Sequence, residues 1–169
     1  MAMLMIREYR REDLKGVTDI INWYIANSSA NFEYTEIDTA EMGRRVEEIL
    51  AGGYPFYVYE SDGVVAGYCY AHQWKGRAAY HLTVESTIYL HPDHLGRGVG
   101  RRMMERLISD CRALGYEAMI ADITVGNTSS EHLHERLGFR KVSHFERVGH
   151  KFGNFYDVAD YELLLQKKI

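Results

Sequence analysis

Apolar and polar positions along the chain change rhythm several times, and each change marks an element. Leu4 to Tyr9 reads as a strand. Leu14, Val17, Ile20, Ile21, Tyr24 and Ile25 then recur at helical spacing, which predicts an amphipathic helix beginning near Asp13. A loop through Asn31, Phe32, Glu33 and Tyr34 follows. Asp38 and Glu41 stand three apart as in a capping box, Met42, Val46, Ile49 and Leu50 form the stripe of a second helix, and Gly52-Gly53 ends it. Phe56 to Glu60 and Val64 to Ala71 read as a hairpin around Ser61-Asp62-Gly63, because Asp-Gly suits the positive φ angles of a tight turn. Tyr80 to Leu90 is predicted as a third strand. After His91-Pro92, Leu95-Gly96-Arg97-Gly98-Val99-Gly100 leads into a helix whose buried side is Val99, Met103, Met104, Leu107, Ile108, Cys111 and Leu114, with a stop at Gly115. Glu117 to Ile123 is strand-like, and Ser129 to Leu137 is a short helix with Thr128 and Glu131 placed for capping and Gly138 closing it. Strands near Phe139 to Val148 and Tyr156 to Leu165 complete the order β-α-α-β-β-β-α-β-α-β-β. No repeat and no Pro, Gly or Ser-rich linker divides the chain, so residues 1–169 are read as a single α/β domain with a mixed sheet.

Composition narrows the functional classes. The 169 residues are 46% hydrophobic and 26% charged, with two prolines, which is the make-up of an ordinary globular protein. The formal charge of −4 argues against a broad basic face, and hence against nucleic acid as a partner. No stretch approaches the roughly 18 apolar residues of a membrane helix, so the expected location is cytoplasmic, with no membrane partner. Cys69 and Cys111 lack metal-ligand spacing and read as reduced, buried small hydrophobes.

The chemistry gathers at the glycine-rich turn. Backbone N–H groups with little side chain over them, at a helix start carrying about half a positive charge, attract phosphate oxygens. The absence of G-K-[ST] excludes a Walker-type loop, and Gly96-x-Gly98-x-Gly100 misses the dinucleotide pattern by one position. The turn is therefore either a phosphate cradle of another kind or simply a tight connection.

Several motifs occurring in order carry a resemblance. Residues 80–90, Tyr-His-Leu-Thr-Val-Glu-Ser-Thr-Ile-Tyr-Leu, are followed by His91-Pro-Asp-His94, the glycine turn, Asn127 with Ser130, Leu133-His134-Glu135 and Leu137-Gly138-Phe139. Together they resemble the GCN5-related N-acetyltransferase (GNAT) family. Trp74-Lys75-Gly76-Arg77, Thr83-Val84-Glu85-Ser86 and Gly149-His-Lys-Phe-Gly153 are similar to its phosphinothricin and methionine sulfoximine acetyltransferase branch. The resemblance implies a splayed mixed sheet with helices on both faces and acetyl-CoA as donor. It also implies direct transfer of acetyl to a small-molecule amine in a ternary complex, and a homodimer. Thirteen tyrosines with Trp23 and Trp74 offer more amphipathic aromatic surface than one small core needs, in keeping with a dimer. The family usually carries Gln or Arg where this chain has Leu95, which removes at most a side-chain contact, because Arg97 and Arg101 can still meet phosphate charge.

This reaction needs particular groups. An α-amine with a pKa of about 7.7 to 8.0 must lose a proton before it attacks a thioester, and Glu85, a charge in an apolar and hydroxyl-rich strand, is the chosen acceptor. The plain alternative is a solvent-facing strand residue. Backbone N–H groups near Ile88, Tyr89 and Leu90 would polarise the thioester carbonyl. His134 stands where many relatives place a tyrosine that serves the leaving thiolate, and it could donate a proton or be an ordinary helix-surface histidine. Asn127 would bond the pantetheine arm or a catalytic water, or simply close a turn. The donor site is expected to comprise Ile88, Tyr89, Leu90, Gly96, Arg97, Gly98, Val99, Gly100, Arg101, Asn127 and Ser130.

The acceptor site is expected to comprise Phe32, Lys75, Gly76, Arg77, Tyr80, Glu85, Ser86 and Thr87, with Lys75 and Arg77 meeting acidic groups and Phe32 and Tyr80 as apolar walls. No metal is expected: His91 and His94 lack a carboxylate at clear spacing, and His132 and His134 point about 200° apart on a helix. Two rival readings stand beside this one. The first is an acetyltransferase for protein N-termini or polyamines, against whose polyamine form Lys75 and Arg77 argue. The second is a non-catalytic acyl-CoA-binding module.

Overall fold

The computed structural model describes residues 4–166. Its strands are β1 (Leu4–Glu8), β2 (Phe56–Ser61), β3 (Val64–Gln73), β4 (Thr83–Leu90), β5 (Ala118–Thr124), β6 (Arg140–Lys141), β7 (Phe145–Lys151) and β8 (Asn154–Leu164). Its helices are α1 (Leu14–Asn27), α2 (Thr39–Ala51), α3 (Val99–Ala113) and α4 (Thr128–Arg136). The strands form one sheet in the order β1-β2-β3-β4-β5-β8-β6, with β7 also paired to β8. All neighbours are antiparallel except β4 and β5, which the crossover through α3 leaves parallel.

Two apolar clusters, one on each face, hold the layers together. The stripe of α1 (Val17, Ile20, Ile21, Ile25) and Met42 and Val46 of α2 pack on Phe56, Val58 and Tyr68. On the other face Val99, Met103, Met104, Leu107, Ile108 and Cys111 of α3 cover Cys69, Val84 and Met119, with Leu133 of α4 and Leu137 just after it alongside. Full burial of each such side chain contributes about 1.5–3 kcal/mol, so the single-sided spacing of the helices accounts for the three-layer arrangement. Both cysteines are buried thiols, and burial pushes their pKa values up.

The structure departs from the sequence expectation in several places. Residues Ala78–Tyr80 form a short 3₁₀ turn, so β4 starts at Thr83 rather than Tyr80. The strand expected from Phe139 to Val148 is broken into β6 and β7. Ser143 Oγ accepts the Asp160 N–H and Asp157 accepts the Arg147 N–H, which diverts the ladder into a bulge with Arg147 at φ 58°. Asp38 caps α2 by accepting the Glu41 N–H, but the Glu41 carboxylate pairs with Arg44 and Arg45 instead of closing a capping box. Asn127, with no side-chain cap bond, precedes α4 in place of the expected Thr128 and Glu131 arrangement. Leu50 and Leu114 end their helices exposed rather than in the buried stripes. The Asp62-Gly63 turn has both residues at positive φ, 51° and 79°, as its sequence requires.

Candidate active site

The sheet opens at one place. The parallel ladder of β4 and β5 consists of Thr83↔Ala118, Val84↔Met119 and Glu85↔Ile120, and beyond Glu85 the two strands part. β4 continues along β3 to Leu90, while β5 continues along β8 to Thr124. The carbonyl of Thr83 and the N–H of His91 both bond toward β3, and the carbonyl of Leu82 bonds toward β5. By strand alternation, the N–H groups of Ile88 and Leu90 face the opening and that of Tyr89 faces β3. The expected run of three donors is therefore two. Tyr24 donates to the Leu90 carbonyl at 2.6 Å and so ties α1 to the rim.

A cleft of 1510 Å³ runs through this opening, larger than the roughly 300–1,000 Å³ of an ordinary small-ligand pocket. Phe32, Glu85, Ser86, Thr87, Ile88, Tyr89, Leu90, Gly96, Gly98, Val99, Gly100, Arg101, Asn127, Ser130 and His134 all line it. Arg97 does not, nor do Lys75, Gly76, Arg77 and Tyr80. The last four belong to the connection beyond the far ends of β3 and β4, where the Lys75 ammonium lies 4.2 Å from the centre of the Trp74 ring. The expected acceptor loop is thus not brought into the cleft of its own chain.

At the α3 end, Gly98 is the residue before the helix at φ 74°, a conformation that an L side chain adopts only with strain. Added methyl groups on Gly96 or Gly98 would meet no protein atom within 4 Å, so the space above the turn is open. The first backbone bond into the helix is Arg102 N–H to Gly98 O, which leaves the N–H groups of Val99, Gly100 and Arg101 for a ligand. Arg136 of α4 also lines the cleft, a cation that helix periodicity alone had not connected with this site. The donor set fits a polyphosphate on a long arm: backbone N–H groups, two arginines and room.

Cross-strand partners project on one face, so Glu85, its β3 partner His72, and the Asp122↔Asp160 pair of β5 and β8 stand together on the α1/α2 face. The His72 Nε2 is 3.9 Å from the Glu85 carboxylate. Burial pushes the Glu85 pKa up, His72 pulls it back, and the charge of Asp160 adds to the rise. Asp122 is pushed up to about 7 by partial burial and by the neighbouring carboxyls of Asp160 and Glu85. Asp122 and Asp160 were missed in the sequence, although a carboxylate inside the apolar run of β5 is the same signal that singled out Glu85. Trp23, Ser28, Ser29, Ala30 and Asn31, from the end of α1 and the loop after it, complete this end with Tyr156 and Val158.

His134 is 3% exposed, and its Nδ1–H donates to the Ser130 carbonyl at 2.8 Å, so in the neutral ring Nε2 carries the lone pair. Burial lowers its pKa, partly offset by that hydrogen bond. His134 is therefore not a surface histidine, and it cannot donate from Nε2 until it has first accepted a proton there. The Asn127 Oδ1 accepts from Ser129 Oγ at 3.3 Å. Among the described residues no group of three or more His, Cys, Asp or Glu is placed to hold a metal, and no helix is long and apolar enough to cross a membrane.

The chain is 34% identical over 165 residues to an L-amino acid N-acyltransferase of Escherichia coli, covering 98% of this chain and 96% of the relative. It is 34% identical to an L-methionine sulfoximine/L-methionine sulfone acetyltransferase of Salmonella typhimurium, covering 97% and 96%. The crystal structure of a phosphinothricin acetyltransferase from Sinorhizobium meliloti in complex with acetyl-CoA superposes with a TM-score of 0.93 at 35% identity, covering 95% of this chain and 88% of that one. Residues 18–139 match the model of the acetyltransferase (GNAT) family. With its sheet parted beside Glu85 and a bare glycine turn before α3, the chain belongs to the acetyltransferase (GNAT) family.

Proposed function

We propose that this enzyme transfers the acetyl group of acetyl-CoA to the α-amine of a small amino-acid analogue of the phosphinothricin, methionine sulfoximine or methionine sulfone type. The amine attacks directly in a ternary complex. The observation that carries this reading is the position of Glu85 at the point where β4 and β5 part. There a carboxylate with a raised pKa meets the opening that exposes the N–H groups of Ile88 and Leu90.

The turn Gly96–Arg101 holds the pyrophosphate through backbone N–H groups, with Arg101 and Arg136 supplying charge and Asn127 and Ser130 meeting the pantetheine arm, while Arg97, outside the cleft, is left out of the donor set. Glu85 takes one proton from the ammonium, and the free amine attacks the thioester carbon. The carbonyl oxygen gains charge against the Ile88 and Leu90 N–H groups, a type of stabilisation worth about 2.7–4 kcal/mol per donor. The attacking nitrogen still carries a surplus proton. His134 accepts it at Nε2 and delivers it to the departing sulfur; its lowered pKa opposes the first of these transfers and favours the second. Two protons leave the ammonium; one ends on the thiol and the other passes from Glu85 to water.

Phe32, Ser86 and Thr87 would contact the acceptor. Lys75, Gly76, Arg77 and Tyr80 would serve its acidic groups only after movement of the β3–β4 connection or from a partner subunit. A homodimer belongs to the same proposal, supported by the exposed Phe145, Val148, Phe152 and Phe155 on β7, β8 and the turn between them. So do a cytoplasmic location and a single catalytic unit spanning residues 1–169. Light scattering would give twice the chain mass at micromolar concentration; the mass of one chain would reject the dimer.

One observation favours a second reading. The acceptor end carries Glu85, Asp122 and Asp160 but no lysine or arginine among its lining residues, which suits a cationic acceptor such as a polyamine. An acceptor screen separates the two: thiol release with acetyl-CoA and methionine sulfone, phosphinothricin or spermidine, with the acetylated product identified by mass. Preference for the amino-acid analogues is expected; preference for spermidine would install the second reading, and thiol release with none of them would leave a non-catalytic acyl-CoA-binding module.

A further inference from the structure

The β7–β8 hairpin carries a lysine in an unusual setting. Lys151 is 2% exposed, and its ammonium donates to the carbonyls of Ser28 at 2.8 Å and Asn31 at 2.6 Å. A buried cation persists only where hydrogen bonds replace its water, and here both acceptors belong to the loop that walls the acceptor end of the cleft. The ring of Phe152 lies 4.9 Å from the same ammonium, and Phe152 sits at φ 51° in a two-residue turn with Gly153. That conformation is uncommon for a bulky residue, and it brings the ring beside the charge.

Further contacts join the same two segments. The Tyr34 hydroxyl donates to the His150 carbonyl at 2.6 Å. Gly149 has an ordinary φ, so torsion does not explain the glycine, but an added Cβ would lie 2.5–3.0 Å from three carbons of the Phe32 ring. Phe32 therefore rests directly on the Gly149 backbone, with Tyr156 beside it at 6.1 Å between ring centres. From β5, Thr124 donates to the Ser29 carbonyl at 2.8 Å and holds the loop from a third side.

We infer that the hairpin Gly149–Gly153 is the mount of the acceptor wall, with Lys151 and Gly149 as positioning residues that set where Asn31 and Phe32 stand and hence which acceptors fit. The inference rests on the acceptor lying beside Glu85, as proposed above. Neither residue lines the cleft; both act through the loop between α1 and α2.

Two measurements on the full chain test it. In a folded Lys151→Met variant, amide hydrogen exchange of residues 28–34 should quicken at least about 10-fold while α3 and its glycine turn keep their protection. Unchanged exchange in that segment would overturn the inference, and this arm does not depend on catalysis. In the kinetic arm, Gly149→Ala should raise the acceptor KM at least about 10-fold and leave acetyl-CoA affinity within about 2-fold. In a Phe32→Leu background, where the ring is gone, the same alanine should add less than about 3-fold. An equal effect of the alanine in both backgrounds would overturn the mount. If the parent acetylates no amine, the proposed activity fails, and the exchange arm alone decides whether the hairpin holds the loop.

Discussion

Asp122 and Asp160 are cross-strand partners on β5 and β8, and they place two carboxyl groups on the face that carries Glu85. Like charges so close resist simultaneous ionisation. The acceptor end therefore holds carboxyl groups poised higher than ordinary ones, which suits a base that must take a proton near neutral pH.

Removing Asp160 should be visible in the pH profile. Its charge helps to raise the Glu85 pKa, so Asp160→Asn lets that pKa fall. The base must be ionised to act, and activity rises as pH passes its pKa. The acid limb of kcat/KM should then move to lower pH. An unmoved limb would separate Asp160 from the base.

Asp122 gives a stability prediction with a definite sign. Its folded-state pKa of about 7 lies above the ordinary carboxyl value, so folding favours the protonated form. That contribution is complete below the unfolded pKa near 3.8 and is lost as pH rises through 7. Asp122→Asn should therefore stabilise the fold at pH 8, by on the order of 1 kcal/mol after solvent screening, and change little at pH 3. Thermal melts at the two pH values check this; equal shifts at both would contradict it.

The glycine turn can be tested against an internal control. Gly98 and Gly63 have similar φ angles, 74° and 79°, and open space where a Cβ would stand. Alanine at either should cost about 1–2 kcal/mol of stability through the left-handed backbone alone. Only Gly98→Ala should also weaken acetyl-CoA binding, roughly 10-fold by calorimetry at a temperature where both variants are folded. Equal affinity in the two variants would detach the turn from the phosphates.

His134→Gln keeps a side chain of similar polarity but cannot shuttle a proton. Turnover should fall on the order of 10²-fold, the scale of lost acid–base catalysis, with acetyl-CoA affinity unchanged. Turnover within a factor of two of the parent would leave His134 as packing against Phe139, whose ring it meets edge-on at 5.0 Å.

Much of this architecture was legible because it is local. The spacing of Val17, Ile20, Ile21 and Ile25, and of Met103, Met104, Leu107 and Cys111, reports a helix face directly, and those residues are buried. The Asp62-Gly63 turn and the bare glycines before α3 likewise state their own backbone needs. The bulge between Phe145 and Gly149 was not legible, because a period-two pattern is silent about register, and here distant polar groups on Asp157 and Ser143 decide it. The buried state of Lys151 was equally hidden: a lysine in a Gly-His-Lys-Phe-Gly run looks solvated until the carbonyls of Ser28 and Asn31 are brought to it across the fold. Lys75 and Arg77 were legible as charges, but the expectation that they stand beside Glu85 is not met within the chain's own cleft, since a loop's sequence does not say which way it leaves the sheet.

If Glu85 is the base of acetyl transfer, Glu85→Gln removes its proton-accepting group while keeping its size. The measurement is the pH dependence of kcat/KM for thiol release with the preferred amine, beside acetyl-CoA affinity in the same variant. Turnover should fall roughly 10²-fold or more, the acid limb should flatten, and acetyl-CoA binding should be retained. Parental turnover with an unchanged pH profile would reject Glu85 as the base.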